Sequence, residues 1–232
     1  MLVTRAVPGA QATARRVAAL GRAPIACPML AITGLTVRLP PAGRVQAVLL
    51  TSGNAVPALD AALHDVPVFA VGDATADRAR AAGFAEVHSA AGDAAALAAL
   101  VARACRPGAG ALLLPTARGE GLALAAALRK AGFAVLRRTV YAAVPQDCFP
   151  TAARDALLRG EVGAALFFSP ATARNFVRLL PASLPAGSLA AVDALALSPA
   201  VAAPLASLPW RRIRVAARPD QDALLTLLAD AD

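Results

Sequence analysis

Residues 45–54 read VQAVLLTSGN, and this stretch decides the fold class. Val45 to Leu50 is apolar except for Gln46, as is typical of a strand buried on both faces of a parallel sheet. Ser52-Gly53-Asn54 follows immediately and is a typical helix start, so we expect a helix through Leu63. A buried strand that leads directly into a helix is one βα unit of an α/β fold.

The same strand-then-helix pattern recurs along the chain. Val68 to Val71 predicts a strand, and Asp73-Ala74-Thr75 begins a predicted helix that ends near Gly83. Residues 111–114 predict a strand and residues 119–130 a helix. Repeated βα units indicate parallel sheets.

Internal similarity indicates that the chain contains two related α/β halves. Residues 48–52 (VLLTS) and 166–170 (LFFSP) are both apolar strands that end in a serine at the start of a helix. Residues 2–5 (LVTR) similarly match 113–118 (LLPTAR), and each is followed by a helix and a glycine.

Two extended segments, 28–35 and 135–144, bracket the middle half, and we interpret them as paired linker strands. We therefore predict one discontinuous α/β domain of residues 1–27 plus 145–232 and a second of residues 36–134. The expected architecture is two related parallel-sheet α/β domains joined by a two-stranded β linker.

Composition excludes several classes of protein. Of the 232 residues, 58% are hydrophobic, which is too many for a disordered chain. The longest nearly uncharged stretch, 179–210, contains Asp193 and five prolines, so we expect no membrane span. The start of the chain does not resemble a signal peptide, and the three cysteines are widely spaced. We expect a cytoplasmic protein without a metal site.

The formal net charge of +8 comes almost entirely from arginine, since Lys130 is the only lysine. Genome composition explains part of this bias; the alternative is an anionic partner. The arginines are scattered singly or in pairs, without the dense basic runs and interleaved aromatics of nucleic-acid-binding proteins. The pattern favours a small polycarboxylate and not a nucleic acid.

The order of several short segments resembles the uroporphyrinogen-III synthase family over essentially the whole chain. No segment is specific alone, but their order and spacing are. The matching segments are Val3-Thr4-Arg5, Leu50 to Val56, Val71 to Ala76 with Ala82-Gly83-Phe84, Ala131-Gly132-Phe133 with Val140-Tyr141, and Phe167 to Pro170. One segment departs from the family pattern: Ser198-Pro199-Ala200-Val201 replaces a Gly-Pro-x-Thr, so an expected hydroxyl at Val201 is missing or is supplied by Ser198.

The resemblance implies an enzyme of tetrapyrrole (porphyrin and heme) biosynthesis, a lyase with its active site in a cleft between two domains. Such an enzyme cyclises hydroxymethylbilane to uroporphyrinogen III, with loss of water and inversion of the terminal pyrrole ring. The resemblance also implies no metal and no organic cofactor. We expect a monomer.

The predicted substrate-binding hydroxyls are Ser52, Thr75, Ser169 and Ser198, which follow predicted strands. In parallel α/β sheets such junctions line the ligand crevice, and a helix start offers unpaired N–H groups to an anion. The alternative is that each residue only caps its helix.

Three further residues complete the predicted site. Tyr141, the only tyrosine, is the candidate general acid, unless it merely packs. Arg5 and Arg118 occupy matching loops and are candidates for binding carboxylates, unless they are solvated. We interpret His64 and His88 as surface residues.

Two other functions share these features. A non-enzymatic two-domain α/β protein that binds or senses a small ligand would have the same fold. A sugar-nucleotide transferase would also have two α/β domains, but it would usually be longer and would carry a glycine-rich phosphate loop, which is not found here.

Overall fold

A computed structural model describes residues 1–7, 9–185 and 187–228. The chain divides into two compact units. Unit 1 comprises Met1–Ala31 and the chain from Val144 onward, and unit 2 comprises Ile32–Ala143. The predicted domain boundaries stay a prediction, because compactness does not show that either unit folds independently.

The strands, in chain order, are β1 (Leu2–Val3), β2 (Ile25–Ala26), β3 (Leu30–Gly34), β4 (Val45–Leu50), β5 (Val68–Ala70), β6 (Val87–Ser89), β7 (Ala111–Ala117), β8 (Val135–Pro145), β9 (Ala164–Phe167), β10 (Asp193–Ala196) and β11 (Arg212–Val215). The α-helices are α1 (Gly9–Ala19), α2 (Asp73–Ala81), α3 (Ala94–Ala104), α4 (Leu122–Lys130), α5 (Thr151–Leu158), α6 (Pro170–Leu179), α7 (Pro199–Ala202) and α8 (Gln221–Thr226). Short 3-10 helices span Ala42–Arg44, Gly53–Ala58, Ala61–Leu63 and Ala203–Ser207.

Each unit contains one sheet in which parallel pairs predominate. In unit 1 the strand order is β11-β10-β9-β1-β2, and every neighbouring pair is parallel. In unit 2 the order is β3-β8-β7-β4-β5-β6, and the pairs from β8 to β6 are parallel. The predicted α/β class with parallel sheets is therefore confirmed.

The central strand β4 is buried on both faces, as its sequence predicted. Val48 and Leu50 pack into one hydrophobic cluster, whereas Ala47 and Leu49 pack into another on the opposite face. This alternation follows from the two-residue period of a strand. Hydrophobic clusters cover both faces of the sheet. Polar groups that could bind a ligand are therefore expected at its carboxyl-terminal edge.

The predicted helix through residues 53–63 is wrong. The chain forms two 3-10 segments there, Gly53–Ala58 and Ala61–Leu63. Pro57 lies inside the first, and proline in an α-helix lacks the N–H donor and clashes with the carbonyl four residues earlier. The first segment contacts α2 and the strands β4 and β7.

No helix in the described part of the chain is both long and apolar enough to cross a membrane.

Candidate functional site

In unit 2, three predicted site residues follow neighbouring strands of the sheet, and a fourth, Tyr141, pairs with Ala117, the last residue of β7. Tyr141 lies on β8, Arg118 follows β7, Ser52 follows β4, and Thr75 follows β5 in the first turn of α2. Because these strands are parallel, all four residues lie along the same carboxyl-terminal edge.

Ser52 and Thr75 use their hydroxyls differently. The Ser52 Oγ accepts a hydrogen bond from the backbone N–H of Asn54 at 3.2 Å, so this residue caps the 3-10 segment. The half-buried Thr75 is the third residue of α2, whose N-cap Gly72 provides no side-chain cap. Capping therefore accounts for Ser52 but not for Thr75.

Tyr141 is nearly buried, with 8% of its surface exposed, and belongs to the cluster that contains Val48 and Val140. The backbone N–H of Arg118 donates to the carbonyl oxygen of Tyr141 at 3.0 Å. The side chain of Arg118 is exposed.

The structure adds Arg78, which the sequence did not indicate, to this edge. Its Nη1 donates to the Asn54 Oδ1 at 3.1 Å. Burial lowers the pKa of Arg78, and an electrostatic interaction with Tyr141 opposes that effect. Arg78 thus connects α2 with the segment after β4.

In unit 1, three predicted site residues follow three strands that are neighbours in the sheet. Ser198 follows β10, Ser169 follows β9 and Arg5 follows β1. These strands are parallel, so the three residues lie along the carboxyl-terminal edge of this sheet too. The internal similarity in sequence thus corresponds to equivalent positions in two sheets.

Arg5 is held by neutral groups. Its Nη1 donates to the Gln221 Oε1 at 3.0 Å and, more weakly, to the Thr13 Oγ1 at 3.4 Å. Its guanidinium carbon lies 4.6 Å from the ring centroid of Phe168, a cation–π contact. Burial lowers the pKa of Arg5. The alternative of a solvated loop arginine does not fit this residue.

Ser169 and Ser198 differ as Ser52 and Thr75 do. Ser169 caps α6: its Oγ accepts from the backbone N–H of Thr172 at 3.2 Å and lies 2.8 Å from the Thr172 Oγ1. Ser198 occupies the N-cap position of α7 without a side-chain capping bond. Val201, where the family pattern has a threonine, is buried, with 2% of its surface exposed. Its side chain is apolar and offers no hydroxyl at this position.

The two histidines pack against neighbours within unit 2. His88 is bound to Glu86 at 2.7 Å and stacks on Phe69, whereas His64 packs against Phe84. No group of three or more His, Cys, Asp or Glu side chains able to hold a metal ion occurs within the described ranges. The predicted site residues offer hydroxyls, one phenol and guanidinium groups, and the exposed carboxylates of Asp73 and Glu120 also lie at the edge of the sheet in unit 2.

A sequence model of one family, described as uroporphyrinogen-III synthase HemD, matches residues 11–226. This chain belongs to the uroporphyrinogen-III synthase family. The match spans both units of the fold, and it confirms the resemblance that the short segments predicted. Among curated proteins, no sequence matches significantly.

Solved structures of uroporphyrinogen-III synthases are similar to this chain. The enzyme from Helicobacter pylori is 16% identical, with a TM-score of 0.64 over 100% of this chain and 99% of that one. A mutant enzyme from the extremely thermophilic bacterium Thermus thermophilus is 23% identical, with a TM-score of 0.47 over 99% of this chain and 97% of that one. The Helicobacter likeness supports the fold along the whole length of the chain.

Proposed function

We propose that this chain is a uroporphyrinogen-III synthase, which converts hydroxymethylbilane to uroporphyrinogen III. Membership in the family is the observation that carries the proposal. It favours an enzyme over the non-enzymatic binding protein, which shares the fold but has no support from the family match.

The reaction makes modest demands on the protein. Loss of water from the terminal hydroxymethyl group gives an azafulvene, which the substituted carbon of the last ring attacks. The resulting spiro intermediate fragments and recloses with that ring inverted. The pyrrole nitrogens supply the electrons, so the protein supplies no nucleophile. Its main contribution is to hold the flexible chain in one folded geometry, and positioning of this kind can contribute roughly 7–11 kcal/mol.

The two sheet edges offer suitable groups for that task. The substrate carries eight carboxylates, and Arg5 and Arg118 are our candidates for binding some of them. Ser52, Thr75, Ser169 and Ser198 can donate hydrogen bonds, and Thr75 and Ser198 are the better candidates because neither caps its helix. Tyr141 can protonate the departing hydroxyl. The expected cleft between the domains stays a prediction.

Separation of the product isomers tests the proposal. The protein is incubated with hydroxymethylbilane generated enzymatically, and the products are oxidised and resolved by chromatography. A synthase gives the type III isomer, whereas the spontaneous reaction gives type I. If the product is type I at the same rate with and without protein, the chain is not a synthase. Tight binding of the substrate without type III product would instead indicate the binding protein.

We also infer that the enzyme acts as a monomer in the cytoplasm. Light scattering coupled to size-exclusion chromatography tests the first point, since a monomer has a mass of 23.3 kDa. A mass of twice that value, stable on dilution, would contradict it.

A further inference from the structure

Arg78 lies across the glycine of the Ser52-Gly53-Asn54 segment. A Cβ atom on residue 53 would come within 2.6 Å of the Arg78 Cδ and 3.1 Å of its Nη1. A larger residue at this position would therefore displace the arginine. The absence of a side chain at residue 53 lets the long Arg78 side chain reach the edge of the sheet from the second turn of α2.

The guanidinium of Arg78 is held by a neutral partner. Its hydrogen bond goes to the amide oxygen of Asn54, and within residues 1–7, 9–185 and 187–228 it makes no ion pair. A guanidinium carries several more N–H groups, which are suited to a carboxylate. By contrast, Arg80, two residues further along the same helix, is exposed and pairs with Asp77 at 2.8 Å.

Arg5 in unit 1 has the same arrangement. Its guanidinium lies within 3.0–3.1 Å of the position of a Cβ on Gly9, and its partner is the amide oxygen of Gln221. Each unit thus holds one partly desolvated guanidinium over a glycine, fixed by a neutral amide, at the carboxyl-terminal edge of its sheet. Fixing a cation with neutral groups orients it while leaving its charge available to a ligand.

There is room for a ligand group beside Arg78. The side chain borders a depression of about 380 Å³ that is lined mainly by apolar residues and also by His64. The apolar lining residues are Val56, Pro57, Leu59, Ala81, Ala82 and Phe84. A largely apolar surface that carries a guanidinium and an imidazole suits a flat ring with a carboxylate side chain.

We propose that Arg78 binds a carboxylate of the tetrapyrrole substrate at the carboxyl-terminal edge of the sheet in unit 2, the edge on which the candidate acid Tyr141 lies. This inference rests on the proposed synthase function and names a binding residue of that reaction. By fixing one carboxylate on the same edge as Tyr141, Arg78 would help to place the reacting end of the substrate. Because the guanidinium lies over Gly53, the carboxylate that it binds would lie beside Ser52 and Asn54.

The test compares Arg78→Gln with Arg80→Gln, since both remove one positive charge from the same helix. For each variant, KM and kcat are measured for formation of the type III isomer. The affinity for uroporphyrin III, the oxidised product that keeps the eight carboxylates, is measured separately by fluorescence. We expect KM and the dissociation constant of Arg78→Gln to rise about tenfold to a hundredfold, as for loss of a charged hydrogen bond. Arg80→Gln should stay within about twofold of the wild type, as expected for an exposed ion pair.

Two further variants keep the test decisive. Arg78→Lys retains the charge without the planar fork, so it should recover only part of the lost affinity. Gly53→Ala leaves Arg78 in the sequence but displaces it, and should weaken binding in the same direction. Thermal unfolding shows whether each variant is folded.

Equal KM and equal affinity for folded Arg78→Gln and Arg80→Gln would overturn the inference while leaving the synthase function intact. If the wild-type protein forms no type III isomer, the proposed function fails first, and the uroporphyrin measurement then shows separately whether Arg78 binds carboxylates. If Arg78→Gln does not fold, normal KM and affinity in folded Gly53→Ala would overturn the inference.

Discussion

The backbone N–H of Arg118 donates a 3.0 Å hydrogen bond to the carbonyl oxygen of Tyr141. The bond lies just beyond an irregularity in register: Thr116 pairs with Thr139, but Ala117 pairs with Tyr141. Adjacent residues of a regular strand face opposite sides, yet Val140 and Tyr141 contribute to the same hydrophobic cluster. The irregularity therefore turns Tyr141 from the face that a regular strand would give it.

Tyr141→Phe should slow formation of the type III isomer clearly without abolishing it. The ring would keep its packing, and only the phenolic hydroxyl would be lost. A general acid contributes about 10²–10⁴-fold, and a water molecule or backbone donor can replace part of this. The measurement is the initial rate together with the ratio of type III to type I isomer. If the folded variant binds substrate but gives type I product alone, catalysis is concentrated in Tyr141.

Ser52→Ala and Thr75→Ala should differ in stability more than in activity. If both hydroxyls bind the substrate as proposed, each variant loses about one hydrogen bond, or about 0.5–1.5 kcal/mol of transition-state binding. Ser52→Ala also loses a cap and should lower the free energy of unfolding by about 1 kcal/mol. Thr75→Ala should leave stability nearly unchanged, since its hydroxyl caps nothing. Denaturant titration and kcat/KM separate the two effects, and equal losses of stability would contradict this assignment.

Asp193→Asn should make stability less dependent on pH below about 4. Arg211 and Arg212 each bind this buried carboxylate through two hydrogen bonds, and these bonds lower the pKa of Asp193 to about 2. A depressed folded pKa means that the carboxylate stabilises the fold above its unfolded pKa, and that this contribution is lost as the pH falls toward 2.

At neutral pH we therefore expect Asp193→Asn to be less stable than the wild type by about 1–3 kcal/mol, because charged hydrogen bonds are weakened. The difference should narrow as the pH falls from about 4 to about 2. Chemical denaturation at several pH values measures it. Glu161→Gln, which breaks a surface pair with Arg159, is the control and should have a much smaller effect. A stability difference that stays constant down to about pH 2 would refute the explanation.

The apparent KM for hydroxymethylbilane should rise with ionic strength, with kcat less affected. If arginines at the sheet edges bind the substrate's carboxylates, dissolved ions weaken that attraction by screening. Assays at increasing potassium chloride measure the effect, with an uncharged osmolyte as the control for solution properties. A KM that does not change with salt would mean that the excess of arginine only reflects composition.

A fragment of residues 32–143 should unfold cooperatively, whereas residues 36–134 should be less stable. The shorter fragment lacks β3 and β8, and β8 supplies Val140 and Tyr141 to the core of unit 2. Urea denaturation followed by circular dichroism compares the two fragments. Equal stability would show that β8 is a linker that the remaining sheet does not need.

The buried strands could be predicted from sequence because burial on both faces leaves a continuous apolar run. Val45 to Leu50 is such a run, and its position at the centre of a parallel sheet follows directly. The α-helix predicted for residues 53–63 is wrong because Ser52-Gly53-Asn54 is equally typical of the start of an α-helix and of a 3-10 helix. Only the fixed geometry of Pro57 distinguishes the two.

Arg78 could not be found from sequence because it lies on a helix with other charged residues, and Arg78 and Arg80 look alike there. What separates them is a contact with a glycine 25 positions earlier and a hydrogen bond to a residue 24 positions away. The available signal was Gly53 itself, since a glycine at a helix start indicates that another group lies close to the backbone.

The position of β1 has a consequence for the order in which the chain folds. This strand is second from one edge of its sheet, between β2 and β9, and the Thr4 hydroxyl donates to the carbonyl of Leu166, 162 residues away. During synthesis, β1 can pair only with β2 until β9 has left the ribosome. All six strands of the sheet in unit 2 are complete before that point. Unit 2 can therefore fold while one side of β1 is still unpaired. The unpaired N–H and C=O groups of such a strand edge can form hydrogen bonds with other chains. Aggregation during synthesis is thus a particular risk for β1.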